Sequence, residues 1–153
     1  MPASALSLSS TARWRRWAAV PAPWLSMDLV LLVARWGVAG LFWRAGRTKV
    51  EGVFTLSDST LLLFREEYAL PLLLPLLAAW MATLGEHLFA LMLAAGLGTR
   101  LAAAGVLAMT AVIQVFVYPA AWPTHLSWAA PMLLLLREGG GRWAVDALIR
   151  ARR

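Results

Sequence analysis

Cysteine is absent from the 153-residue chain, and histidine occurs only twice. Without a thiol the chain forms no disulfide and cannot hold a zinc ion or an iron–sulfur cluster on cysteine ligands. Charge is also scarce, because Asp, Glu, Lys and Arg make up 14% of the residues, against about 25% in an average soluble domain. These absences exclude thiol chemistry and argue against a water-soluble domain.

Hydrophobic residues make up 61% of the chain, and nine residues are Trp. Tryptophan is enriched where membrane helices cross the headgroup region, so this composition is typical of a membrane protein. The formal net charge of +6 is spread over the flanks of hydrophobic runs. It therefore indicates contact with lipid headgroups, and no nucleic acid partner is expected.

Four hydrophobic runs are candidates for membrane spans, since a span needs about 20 mainly apolar residues. The predicted spans are about 25–42, 72–97, 101–118 and 123–136. The last one is short and is interrupted by Pro131. The predicted fold is therefore all-α, an integral membrane four-helix bundle over residues 25–136.

The remaining segments are polar or basic. Residues 1–24 are expected to form an N-terminal segment that is disordered over 1–11. The basic-aromatic stretch that follows (RWRRW, 13–17) faces the headgroups or, as the remote alternative, forms a nucleic-acid arm. This segment lacks a signal-peptide cleavage pattern, so the first span should be an uncleaved anchor. Residues 43–71 form the longest connection and contain a predicted short amphipathic helix that starts near Asp58. Residues 137–153 form a basic tail with a predicted interfacial helix.

An even number of spans places both termini on the same side of the membrane. With the termini inside, nine basic residues lie on the cytoplasmic side and four on the outer side. The positive-inside rule then predicts cytoplasmic termini, with loop 43–71 on the outer side.

A charged residue lies near the middle of each of the first two predicted spans, Arg35 in the first and Glu86 in the second. Charges inside a span are costly and are functional-site hypotheses by default. Counting from the inner ends of the spans puts both at about 15 Å depth, so an intramembrane ion pair is predicted. Arg35 can serve this structural pair, or it can be a ligand-binding or proton-path residue, and both readings require it to point into the bundle.

Two further candidates lie next to this pair. On a helical period Leu31, Arg35, Val38 and Phe42 share one face of the first span, and Lys49 continues this face beyond the span. His87 is rotated by about 100° from Glu86, so the two side chains should meet different neighbours.

A polar ridge is predicted on the third span, where Thr110, Gln114 and Tyr118 recur every four residues. These side chains either hydrogen-bond between helices or line an outward-opening pocket together with His125 and Trp128. No metal site or covalent cofactor motif is visible, and the two His lie too far apart in depth to share a haem. A quinone needs only an apolar slot, an aromatic wall and one or two hydrogen bonds, so it is the cofactor class that such a pocket can hold.

Most of the chain resembles the DoxX family of small four-helix bacterial membrane proteins. The resemblance covers about residues 29–146 and is carried by LVARWGVAGLFWRAGRTKV in the first span and GEHLFALMLAAGLGTR at the second turn. The matching positions in the first motif are Arg35, Gly40, Phe42, Gly46 and Lys49. Those in the second are Gly85, Glu86, Gly96, Leu97, Thr99 and Arg100.

The resemblance implies an accessory or quinone-interacting subunit of a membrane redox system, since some members are similar to the membrane subunit of thiosulfate:quinone oxidoreductase. The alternative is a non-catalytic scaffold or transport accessory in metal or oxidative stress. The resemblance also implies a bacterial inner membrane as the location. A partner protein or a homo-oligomer is expected in either case. The family has no settled set of catalytic residues, so none is transferred, and the chain is not expected to catalyse a reaction alone.

Overall fold

Helices dominate the computed structural model, which describes residues 25–71 and 73–152. The helices are α1 (Met27–Arg47), α2 (Asp58–Glu66), α3 (Pro75–Ala95), α4 (Thr99–Val112), α5 (Trp122–Glu138) and α6 (Val145–Ala151). A two-stranded antiparallel hairpin, β1 (Val50–Glu51) and β2 (Thr55–Leu56), follows α1. The predicted all-α fold is confirmed. The predicted segment 1–24 lies outside the described residues.

Three of the helical segments are long and apolar enough to cross a membrane, namely α1, α3 and the run Thr99–Val117 that begins with α4. The fourth predicted span, 123–136, corresponds to α5, which has 17 residues and contains Pro131. It packs against α1 and α4, so four helices surround the core.

Helix α1 extends beyond its predicted end at residue 42. It begins where the Ser26 hydroxyl accepts a hydrogen bond from the Leu29 N–H at 3.2 Å, and it continues to Arg47. The face predicted to point inward is buried, including Leu31, Arg35 and Phe42. The apolar period therefore identifies the inward face correctly, although it does not locate the end of the helix.

Helices α3 and α4 are joined by a tight turn. Helix α3 begins with Pro75, whose missing N–H is not needed at a helix start. It ends at Gly96, whose φ of 72° is a left-handed conformation that favours glycine. After Val112 the chain continues as a π-helical segment, Ile113–Val117, and Pro119 then starts a single 3₁₀ turn.

The connection that follows α1, residues 48–71, folds over one end of the bundle, called here the loop end. The Ser57 hydroxyl caps α2 by accepting a hydrogen bond from the Thr60 N–H at 3.2 Å. Phe64 of α2 is buried against Ala78 and Ala79 of α3. The short helix predicted near Asp58 is present, and it covers the mouth of the bundle.

The opposite end, called here the tail end, is where α1 begins and α5 ends. Residues 139–144 turn back over it and bury the side chain of Ala144. The backbone N–H of Asp146 donates to the Gly96 carbonyl at 3.0 Å. The segment predicted as a separate basic tail is therefore anchored to the helices at its start.

The antiparallel register of α1 and α3 decides which residues can meet. At the tail end the indole N–H of Trp36 donates to the Ala94 carbonyl at 3.2 Å. Toward the loop end, Gly46 packs against the side chains of Glu86 and His87. Gly37 and Gly40 of the same helix have no neighbour within contact distance of a Cβ, so Gly46 is the glycine that permits close approach.

Candidate functional site

Glu86 forms an ion pair with Lys49 in the loop-end half of the bundle. Lys49 Nζ donates to Glu86 Oε1 at 2.8 Å, and the two side chains are only 12% and 6% exposed. Lys49 Nζ also donates to the Ala45 carbonyl at 3.2 Å. The predicted ion pair between Arg35 and Glu86 is therefore wrong, because Lys49 occupies the place assigned to Arg35.

The register of the helices explains this correction. Arg35 lies beside Leu93 of α3, whose carbonyl is 3.5 Å from its Nη1. Leu93 is seven residues after Glu86, which corresponds to about 10 Å along the helix axis. Equal depth was inferred by aligning the inner ends of the spans, but α1 begins at a different level from the end of α3. Arg35 instead donates from Nη2 to the Trp143 carbonyl at 3.0 Å.

His87 serves a different neighbour from Glu86, as the rotation between adjacent helical positions predicts. Its Nδ1 lies 2.7 Å from the Thr83 carbonyl oxygen, which only accepts, so Nδ1 carries the hydrogen. The imidazole packs edge-on against Trp43 with ring centroids 5.1 Å apart. His87 fills a gap beside Gly46 and does not line the cavity described next.

A cavity of about 640 Å³ lies between the helices and is bounded by α2 at the loop end. Most of its wall is apolar or aromatic, with contributions from Phe42, Phe64 and Phe89. The predicted pocket residues that line it are Tyr118, His125 and Trp128, and the Lys49–Glu86 pair lines it as well.

The three residues of the predicted polar ridge on the third span have three different hydrogen-bond partners. Thr110 donates to the Val106 carbonyl of its own helix at 2.9 Å and is not a wall residue. Gln114 contacts His125, and the hydroxyl of Tyr118 donates to Glu67. Gln114 lies in the π-helical segment and Tyr118 directly follows it. The wider turns of this segment break the four-residue period from which the ridge was inferred, so the three side chains point in different directions.

A short chain of hydrogen bonds holds His125 in place. Gln114 Nε2 donates to the Pro119 carbonyl at 2.8 Å, and Gln114 Oε1 lies 2.6 Å from His125 Nδ1. The imidazole also contacts Trp128, with ring centroids 5.4 Å apart, and Trp128 packs edge-on against Phe42. His125 and Trp128 therefore form one aromatic wall of the cavity.

Some residues around the cavity did not stand out in the sequence. Phe64 and Tyr68 reach it from the connection between α1 and α3, where the sequence predicted only a short amphipathic helix. Lys49 was only a secondary candidate, although it continues the buried face of α1 beyond Phe42. That continuation was the available signal for a partner of Glu86.

This arrangement can bind a ring-shaped apolar molecule and orient it through a few polar atoms. A mainly apolar wall with a small number of placed polar groups is the usual construction of a small-molecule site. Among the described residues, no group of three or more His, Asp or Glu side chains is placed to hold a metal ion.

Comparison with curated proteins and with solved structures gives no match. A family model described as DoxX matches residues 30–119, which is more than half of the chain. This range begins near the start of α1 and ends just after the π-helical segment, so it includes Lys49, Glu86 and Gln114. The chain therefore belongs to the DoxX family, as its resemblance predicted, and is an α-helical integral membrane protein.

Proposed function

We propose that the cavity binds a lipid-soluble ligand of the quinone class, and that the protein serves as a quinone-interacting subunit of a membrane redox system. We further propose that it lies in a bacterial inner membrane with both termini in the cytoplasm. The cavity is the observation that carries the first proposal. Its volume of about 640 Å³ falls within the range of about 300–1,000 Å³ that small-molecule sites have.

The wall chemistry supports a flat aromatic ligand with oxygen atoms. Phe42, Phe89 and Trp128 offer ring surfaces, and aromatic rings pack well edge-to-face or offset. Glu86 on α3, its partner Lys49 just after α1, and His125 on α5 supply hydrogen-bonding groups from separate parts of the wall. A quinone head presents two opposed oxygens on one ring, which suits polar groups on separate walls.

The surroundings of the cavity support entry from the lipid phase. Met81 and Leu84 of α3 line the cavity and are 56% and 49% exposed. A ligand dissolved in the bilayer can therefore reach the cavity past apolar side chains, without crossing the polar loop end.

The alternative function is that of a scaffold or transport accessory in metal or oxidative stress, in which the bundle only presents surfaces to a partner protein. This function needs no ligand in the cavity. The two hypotheses therefore differ in whether the purified protein binds a quinone.

The test is to purify the full chain in detergent and extract it for mass spectrometry of bound quinones. Ala82→Phe places a ring inside the cavity, because Ala82 lines it. Ala111→Phe is the matched control, since Ala111 is exposed on α4 and does not line the cavity.

The proposal predicts near-stoichiometric quinone in the wild-type and A111F proteins and its loss from A82F. Equal background amounts of quinone in all three proteins would overturn the proposal and favour the scaffold function.

A further inference from the structure

The hydrogen bonds around His125 determine the state of its second ring nitrogen. Gln114 uses its Nε2 hydrogen on the Pro119 carbonyl, so its Oε1 is the atom that faces His125. An amide oxygen only accepts, which means that His125 Nδ1 carries the hydrogen and donates. In the neutral ring Nε2 is then an acceptor, and no described residue donates to it.

Glu86 provides a second acceptor in the wall. Its Oε1 accepts from Lys49, whereas Oε2 is buried and has no hydrogen-bond partner among the described residues. The terminal torsion of a glutamate is soft, so the carboxylate can turn toward a donor in the cavity. An unpaired buried carboxylate oxygen is costly, and a ligand that supplies a donor removes this cost.

Donors and acceptors in the wall differ in whether they can distinguish a carbonyl oxygen from a hydroxyl group on the ligand. Lys49 has three ammonium hydrogens and uses two of them, on Ala45 and Glu86. The third can donate equally well to a carbonyl or a hydroxyl oxygen, because both accept. An acceptor such as His125 Nε2 or the Glu86 carboxylate can pair only with a hydroxyl.

We infer that the cavity selects the hydroquinone form of its ligand, which carries two hydroxyl donors, over the quinone form, which carries only carbonyl acceptors. This inference rests on the proposed function, because it specifies the redox form of the same ligand class. One hydroxyl pairs with the Glu86 carboxylate while accepting from Lys49, and the other pairs with His125 Nε2. A quinone in the same position leaves both acceptors unpaired.

The experiment measures the affinity of the detergent-purified full chain for decylubiquinone and, under argon, for decylubiquinol. Isothermal titration calorimetry gives both dissociation constants on one preparation. The expected preference for the hydroquinone is about tenfold or more, the factor that one buried unpaired acceptor produces.

Glu86→Gln tests the origin of this preference. Its amide oxygen can keep the hydrogen bond from Lys49, and its NH₂ group replaces the free acceptor with a donor. We expect E86Q to lose the preference, through weaker binding of decylubiquinol and no weaker binding of decylubiquinone. His125→Phe keeps a flat ring but removes the acceptor, so it should also reduce the preference.

Thr83→Val is the matched control, because Thr83 is fully buried on α3 and does not line the cavity. It should retain the wild-type preference. Equal affinity of the wild type for both forms, tighter binding of the quinone, or an unchanged preference in both E86Q and H125F would overturn the inference and leave the proposed function standing. If neither decylubiquinone nor decylubiquinol binds the wild type, both the inference and the proposed function are overturned.

Discussion

The guanidinium of Arg35 donates a hydrogen bond to the backbone carbonyl of Trp143, 108 residues further along the chain, at 3.0 Å. Arg35 is 1% exposed, so its guanidinium is shielded from solvent, and the contact with Trp143 is partly buried. Its Nη1 lies close to the Leu93 carbonyl and to the Cα of Gly96, where a Cβ would collide with it. A charged side chain of α1 thus joins the end of α3 to the C-terminal segment.

Replacing Arg35 with Met should release the C-terminal segment. The variant removes the donor to Trp143 and leaves that carbonyl without it, at an expected loss of about 2–3 kcal/mol in stability. Limited trypsin digestion at Arg142 should become faster, and thermal unfolding in detergent should occur at lower temperature. Arg137→Met is the control, because Arg137 is exposed and its side chain pairs, among the residues that the structure describes, only with the neighbouring Glu138. Equal trypsin sensitivity of both variants would contradict the role of Arg35.

Double-mutant cycles should show which basic residue, Arg35 or Lys49, is energetically coupled to Glu86. Because Arg35 and Glu86 do not meet, the losses from R35L and E86A should add to within about 0.5 kcal/mol. Because Lys49 and Glu86 do meet, K49M and E86A should show a coupling of about 1–3 kcal/mol. Unfolding midpoints of the single and double variants provide the measurement. Rescue of E86A by R35L would instead support the ion pair between Arg35 and Glu86 that was predicted from the sequence.

Asp146 should make stability depend on pH at the tail end. Burial alone would raise its pKa, but the hydrogen bonds that it accepts from the backbone N–H groups of Thr99 and Gly98, at 2.9 and 2.7 Å, hold the pKa below its usual value. A lowered folded-state pKa gives stability that is present above the unfolded value of about 3.9. This stability is lost as the pH falls through the folded-state value.

Asp146→Asn should therefore be less stable than the wild type at pH 6, by about 1 kcal/mol, the typical value of such a helix-start interaction. The difference should shrink as the pH falls below 4. Thermal unfolding of both proteins across this range tests the prediction. A difference that stays constant with pH would show that the Asp146 charge is not responsible.

Gly46 should tolerate no side chain, in contrast to another glycine of the same helix. A Cβ at position 46 would lie 2.7 Å from two ring atoms of the buried His87, so G46A should lose about 1–3 kcal/mol through overpacking. Gly40 has nothing within 4 Å of the same position, and G40A should gain up to about 1 kcal/mol from helix propensity. The measurement is the unfolding midpoint of each variant relative to the wild type. Similar stability changes in G46A and G40A would contradict the close packing at Gly46.

The proposed topology can be tested by single-cysteine labelling, because the natural chain has no Cys to interfere. Val53 is 76% exposed at the hairpin tip, and Ile149 is 44% exposed on α6. A membrane-impermeant maleimide added to intact spheroplasts should label V53C and leave I149C unlabelled until the membrane is opened. The reverse pattern would invert the proposed orientation.

The sequence by itself determined the class of protein and the inward face of α1. Scarce charge and long apolar runs require a membrane, and the helical period brought Leu31, Arg35 and Phe42 to the buried face of α1. The same period separated His87 from Glu86. These properties are local, since they depend only on composition and on the rotation per residue, and both can be counted along the chain.

Only the tertiary structure decided which of those inward residues meet. A helical period gives direction but not the axial offset between two helices, so Arg35 was assigned to Glu86 although Lys49 holds that position. The π-helical segment likewise changed the directions of Gln114 and Tyr118. The cavity depends on several helices and on the fold of the connection 43–71. Packing among all of these elements sets its position, because no single segment contains enough of the wall to specify it.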